Sequence, residues 1–321
     1  MTEEQNGFRA TLDILLDEKK RLSKQHFQQF SDMEPGAMAQ LLGIWPRLSS
    51  ERKRVLLEGL LALLDSDTLV SFEEIGKALL GDAESAVRAN AIRLLSESDD
   101  AHLVPVLIGI LENDADLAPR QQAAVLLGEF LLLGELDELP EQPRVAVEEA
   151  LLGIERSQER PGLRRSALES LGYSSRPEVP ALIEAAYGRQ DPQWVASALV
   201  AMGRSSDERW GEQVITMLLN EDARVRLAAA EAAGELGLST ARPILLRLLE
   251  DEDDGAVTAA AVWSLSQIGG EDVRVYLQSL LDRAEDDEQS AFLEDALDNL
   301  SFTEDMERFD LMSLDLGDED E

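Results

Sequence analysis

Residues 222–237 read D-A-R-V-R-L-A-A-A-E-A-A-G-E-L-G. Counted from Arg226, the alanines at 229, 230 and 233 fall at the offsets +3, +4 and +7 that share one face of a helix of ~3.6 residues per turn. An acid stands four residues before the anchor and a glycine eight after it. The same pattern returns as E-S-A-V-R-A-N-A-I (84–92), D-L-A-P-R-Q-Q-A-A (116–124), D-P-Q-W-V-A-S-A-L (191–199) and D-G-A-V-T-A-A-A-V (254–262). A recurring period of 31–32 residues means helical hairpins stacked one on the next.

The anchors are Arg88, Arg120, Arg164, Val195, Arg226, Thr258 and Ser290, with one long spacing of 44 residues between the second and third. Offset +3 is Ala91, Ala123, Ala167, Ala198, Ala229 and Ala261, which points to a helix crossing too close for a larger side chain. Offset +8 is Ser96, Gly128, Gly172, Gly203, Gly234 and Ser266, suited to a helix end or a second close approach. Four before six of the seven anchors, Glu84, Asp116, Asp191, Asp222, Asp254 and Asp286 are placed to cap the first turn and meet the positive end of its dipole. Fifteen before, Pro105, Pro180 and Pro243 mark first turns of the preceding outer helices. The long spacing holds G-E-L-D-E-L-P-E-Q-P (134–143), which reads as a lengthened loop.

The expected architecture is all-α, a right-handed superhelix of about seven helix pairs over 82–300. Residues 1–81 form a divergent helical cap in the same solenoid, including helical stretches at 12–30 and 52–64. Nine of the 19 residues of 303–321 are acidic, so the tail at 301–321 should be disordered alone or folded back over the last repeat.

Composition agrees: 44% of the 321 residues are hydrophobic but only 5% aromatic, as suits close-packed helices. With no cysteine there is no disulfide, thiolate metal site or cysteine nucleophile. The net charge of −36 opposes phosphate backbones and anionic membrane surfaces, and no apolar run nears the ~20 residues of a membrane helix. The N-terminus M-T-E-E-Q-N has no signal pattern, so a cytoplasmic protein is expected.

The repeat D-x-x-V-R-x-x-A-x-x-A-L-G resembles the HEAT-like repeats, of the short kind also found in bilin lyase subunits, over residues 68–300. The resemblance implies an Asp–Arg ladder between repeats, with Arg88, Arg120, Arg164 and Arg226 facing acids such as Asp116 and Asp222. Breaks are expected at Val195, Thr258 and Ser290. It also implies that most such chains bind proteins, while a minority carry chemistry.

The chemistry finds no support in the residues. His26 and His102 stand apart and neither is paired with glutamate in the manner of a di-iron site. No catalytic, cofactor-binding or metal-ligating residue is assigned, and no cofactor is expected. Offsets +5 and +9 should line one solvent face of the inner helices, placing Trp263 and Tyr173 among Glu169, Glu231 and Glu235. Aromatics set in acid suit a basic, partly apolar protein. Trp194, in the apolar slot before its anchor, belongs to the core. In the tail, Phe309, Leu311, Met312 and Leu314 among acids resemble a linear motif that folds onto a partner's groove. The expectation is a non-enzymatic scaffold or adaptor for a basic protein partner, with neither nucleic acid nor membrane as target. The alternative is a lyase- or chaperone-like accessory factor in bilin attachment, and assembly with further copies of the chain is compatible with either.

Overall fold

The computed structural model describes the backbone of residues 3–284 and 286–315 and the side chains of 7–284 and 286–306. Among these residues every regular element is a helix. The chain forms two compact units, Met1–Ser170 and Leu171–Glu321.

The first unit opens with α1 (Glu3–Leu16), α2 (Lys24–Gln28), α3 (Pro35–Ile44) and α4 (Ser50–Leu64). The stretch 12–30 is thus broken between α1 and α2. Ser23 starts α2, its N–H donating 2.9 Å to Nδ1 of His26, which is that histidine's structural use. Arg52 of α4 donates to the carbonyls of Leu15 (2.8 Å) and Ile14 (2.7 Å), satisfying the last turn of α1. Then follow α5 (Glu73–Leu79), α6 (Ser85–Arg93), α7 (Leu103–Asn113), α8 (Leu117–Glu135), α9 (Glu141–Arg156) and α10 (Pro161–Leu171). Inner helices α4, α6 and α8 pack in series, with α5 and α7 behind α6 and α8.

The 44-residue spacing is built differently from the expected long loop. Only residues 136–140 lie between α8, which has 19 residues, and α9, which has 16. The extra turns of α8 are apolar and find cover, Phe130 and Leu131 being buried, while the first turns of α9 stay largely exposed up to Val147.

The second unit alternates outer and inner helices: α11 (Val179–Tyr187) with α12 (Pro192–Arg204), α13 (Gly211–Met217) with α14 (Ala223–Glu235), α15 (Arg242–Asp251) with α16 (Gly255–Ile268), and α17 (Glu271–Leu281) with α18 (Asp287–Asp315). The inner helices form the continuous series α12, α14, α16, α18. Pro180 and Pro243 sit in the first turns of α11 and α15, where their missing N–H costs no helical bond. The expected boundary at residue 300 falls inside α18. There Thr303 donates to the Ser266 carbonyl (3.1 Å) and Glu304 pairs with Arg274 (2.6 Å), so the last helix stays bound past that point.

Candidate protein-binding groove

The side chains between repeats obey rules that fix the groove. All six +3 alanines are fully buried, and Trp194 is in the core with the Arg189 guanidinium 3.8 Å over its ring. At +8 Gly172, Gly203 and Gly234 stand at the close of their helices and also serve close approach. A Cβ on Gly172 would stand 2.8 Å from the Ala201 Cα, one on Gly234 2.8 Å from the Ser264 Cα, and one on Gly203 3.0 Å from the Ala232 Cα. Each opposing residue lies at +6 of the next repeat, and Gly128 meets Ser170 in the same relation. Ser170 and Ser264 use that position to donate across the crossing, to the carbonyls of Ala124 (2.9 Å) and Ala230 (2.6 Å). Helix α14 is closed beyond Glu235 by Gly237 (φ +59°), whose successor donates back to the Ala233 carbonyl at 3.0 Å.

The acids before the anchors divide into two groups. Asp191, Asp222, Asp254 and Asp286 cap their helices by accepting from backbone N–H groups. Glu84 and Asp116 instead reach cations, Lys53 at 2.7 Å and Arg88 at 3.1 Å. The ladder exists, but its main rungs use acids six before the next anchor: Arg88 grips Asp114 and Arg226 grips Glu252, each through two 2.7 Å bonds. Asp222, an expected ladder acid, pairs with Arg224 (2.7 Å). Arg120 pairs with Glu159 (2.8 Å) and Arg164 with Glu155 (3.1 Å). Lys53 of α4 faces Asp82 (3.6 Å) and Glu84 as Arg88 faces Asp114 and Asp116, so the ladder extends into the N-terminal segment. The signal for these rungs was the acid–x–acid spelling D-A-E (82–84), D-A-D (114–116) and E-D-D (252–254), of which only the second acid attracts notice as a cap.

The solvent face follows from these crossings. Glu231 and Glu235, a turn apart on α14, line an open groove of about 540 Å³ with Trp263 and Gln267, a turn apart on α16. Trp263 is 39% exposed and Phe292 of α18 completes the lining. Gln267 lies on the face expected of its +9 offset, while Phe292 was not foreseen, because it acquires a role only when three inner helices stand side by side. The Glu235 carboxylate lies over Gly203 in the space a Cβ would fill. Solvent reaches both glutamates from the mouth, yet the walls thin the water around them. This desolvation raises both carboxyl pKa values, against a lowering pull from Arg204. Arg204 in turn lies 4.9 Å over the ring of Tyr173, so an aromatic–guanidinium pair already stands in this unit. Glu169 is half-buried in α10 and belongs to the first unit, whereas every residue lining the groove belongs to the second. The backbone of Phe309, Leu311, Met312 and Leu314 continues α18, and their side chains lie outside the described residues.

Among the described residues no group of three or more His, Asp or Glu could hold a metal ion, and no helix is long and apolar enough to cross a membrane. The His102 side chain is 98% exposed, 2.8 Å from Asp100.

Residues 211–300 match the sequence profile of the HEAT repeats, and the repeats described above are of that HEAT-like kind. No curated protein matches the chain. Similar solved structures include the complex of CpcE and CpcF of phycocyanin lyase from Nostoc sp. PCC7120, at 21% identity over 71% of this chain and 94% of that one, with a TM-score of 0.44. Human deoxyhypusine hydroxylase shares 17% identity over 83% and 96%, with a TM-score of 0.35. Kap121p bound to Pho4p shares 14% over 93% of this chain and 38% of its own, with a TM-score of 0.46.

Proposed function

We propose that this chain is a protein-interaction scaffold whose α14–α16 groove takes a basic segment of its partner. One observation carries this reading: Trp263 is held part-exposed beside Glu231 and Glu235 in a groove built by packed helices. A rigid aromatic surface flanked by carboxylates favours arginine and lysine, by stacking and by charge. The net charge of −36 adds long-range attraction for basic proteins and speeds encounter at low salt.

The test is affinity capture from source lysate with the wild type, Trp263→Ala and the pair Glu231→Lys/Glu235→Lys, each over a salt series. The expected result is a basic protein retained by the wild type, released by salt and lost from both variants at unchanged helicity. Equal capture by all three would defeat the reading. The acidic tail is a second candidate element, to be removed from residue 307 onward so that Thr303 and Glu304 keep their contacts with Ser266 and Arg274.

A further inference from the structure

Two repeats show what the anchor slot does when it carries arginine. Nη1 of Arg88 donates to the consecutive carbonyls of Asp82 (2.8 Å) and Ala83 (3.2 Å). Nη1 of Arg226 does the same with Asn220 (2.8 Å) and Glu221 (3.1 Å). The other edge of each guanidinium meets the carboxylate of the next repeat, Asp114 or Glu252. Two carbonyls and one carboxylate thus form a planar receptor matched to the guanidinium fork.

In the repeat of α12 the anchor is Val195. The carbonyls in the equivalent places belong to Arg189 and Gln190, and Val195 brings no donor to them. Asn220 stands where Asp114 and Glu252 stand elsewhere. Its Oδ1 accepts from the Asp222 N–H at 2.9 Å, as Asp114 accepts from Asp116 (2.9 Å) and Glu252 from Asp254 (3.0 Å). Here the surface opens into a cavity of about 600 Å³, with Tyr187, Val195 and Met217 among its apolar lining and Asn220, Glu221 and Asp222 along its polar side. Arg189 also lines it, but its guanidinium is committed to the Trp194 ring at 3.8 Å. Asp222 is committed to Arg224, which leaves Glu221 as the carboxylate at hand.

We infer that this cavity receives an arginine side chain from a polypeptide partner, supplying from outside the guanidinium that Arg88 and Arg226 supply within the chain. Lysine fits less well, because a point charge cannot bond two carbonyls and an amide oxygen in one plane. Free arginine fits less well because its α-carboxylate would face Glu221 and Asp222. The site shares no residue with the Trp263 groove, so each proposal can fail without the other.

The experiment follows the Met217 methyl signal of the full-length protein by NMR. The titrants are the blocked peptide acetyl-Gly-Arg-Gly-amide, its lysine counterpart and free L-arginine. The arginine peptide should shift the signal and saturate in the millimolar range, with the lysine peptide roughly fivefold weaker. Asn220→Asp, which restores the carboxylate of the sister repeats, should tighten arginine binding about tenfold. Val195→Arg should fill the slot and abolish the shift. The inference is overturned if Met217 does not respond, if Asn220→Asp leaves the affinity unchanged, if Val195→Arg retains the response, or if free arginine binds as well as the peptide.

Discussion

Arg226 and Glu252 form a well-shielded rung of the second unit, with side-chain exposures of 18% and 3%. Removing the cation strands a carboxylate that water barely reaches, so Arg226→Met should destabilise by about 3 kcal/mol, read from urea unfolding. Arg226 holds the Glu252 carboxyl below its ordinary range. A lowered folded-state pKa gives stability that is present above the unfolded value and lost as pH falls through the folded one. Glu235 has the opposite sign: its raised pKa gives stability that is full below the unfolded value and lost as pH rises through the folded one. Glu235→Gln should therefore raise the melting temperature at neutral pH and lose that advantage in acid, as melts over a pH series would show. A cation bound in the groove opposes protonation, so a basic partner should bind more tightly as pH rises through the same range. Flat binding across that range would count against these carboxylates as the recognition element.

At the scale of the helix, Ala229 lies fully buried on the core face of α14. Ala229→Leu should overpack this site and cost roughly 1–3 kcal/mol, measurable as a lowered melting temperature. An unchanged melt would mean that the +3 slot tolerates volume. Such slots were legible in the sequence because apolar periodicity is local: offsets within one helix determine which side faces inward. The +6 slot was not, since Ala201, Ala232 and Ser264 are small only in relation to a glycine one repeat earlier. For the same reason Trp263, Glu231, Glu235 and Gln267 could be placed on one face while Phe292 of α18 could not. The helical extension of α8 and α9 was hidden by G-E-L-D-E-L-P, whose turn residues suggest a long loop although only residues 136–140 form one.

For the whole chain, the balance of 65 acidic against 29 basic residues is the dominant electrostatic fact. Self-repulsion of this size weakens the folded state, and salt screens it over ~10 Å at 0.1 M. The melting temperature should rise from low to moderate sodium chloride. A fall would mean that the rungs Lys53–Glu84, Arg88–Asp114 and Arg226–Glu252 outweigh the repulsion. The same salt weakens capture of a basic partner, so stability and binding should respond in opposite directions.

The pairing of a +8 glycine with a small +6 residue one repeat later also bears on how such a chain can change over generations. A repeat copied to a new place keeps its own interior but meets neighbours selected for someone else's surface. Gly234 next to a bulky residue, or Ser264 next to a non-glycine, would each be a defect that neither repeat contains alone. The heritable module is thus the joint between two repeats. Substitutions at these crossings should become fixed as couples about one period apart, with either partner alone disfavoured.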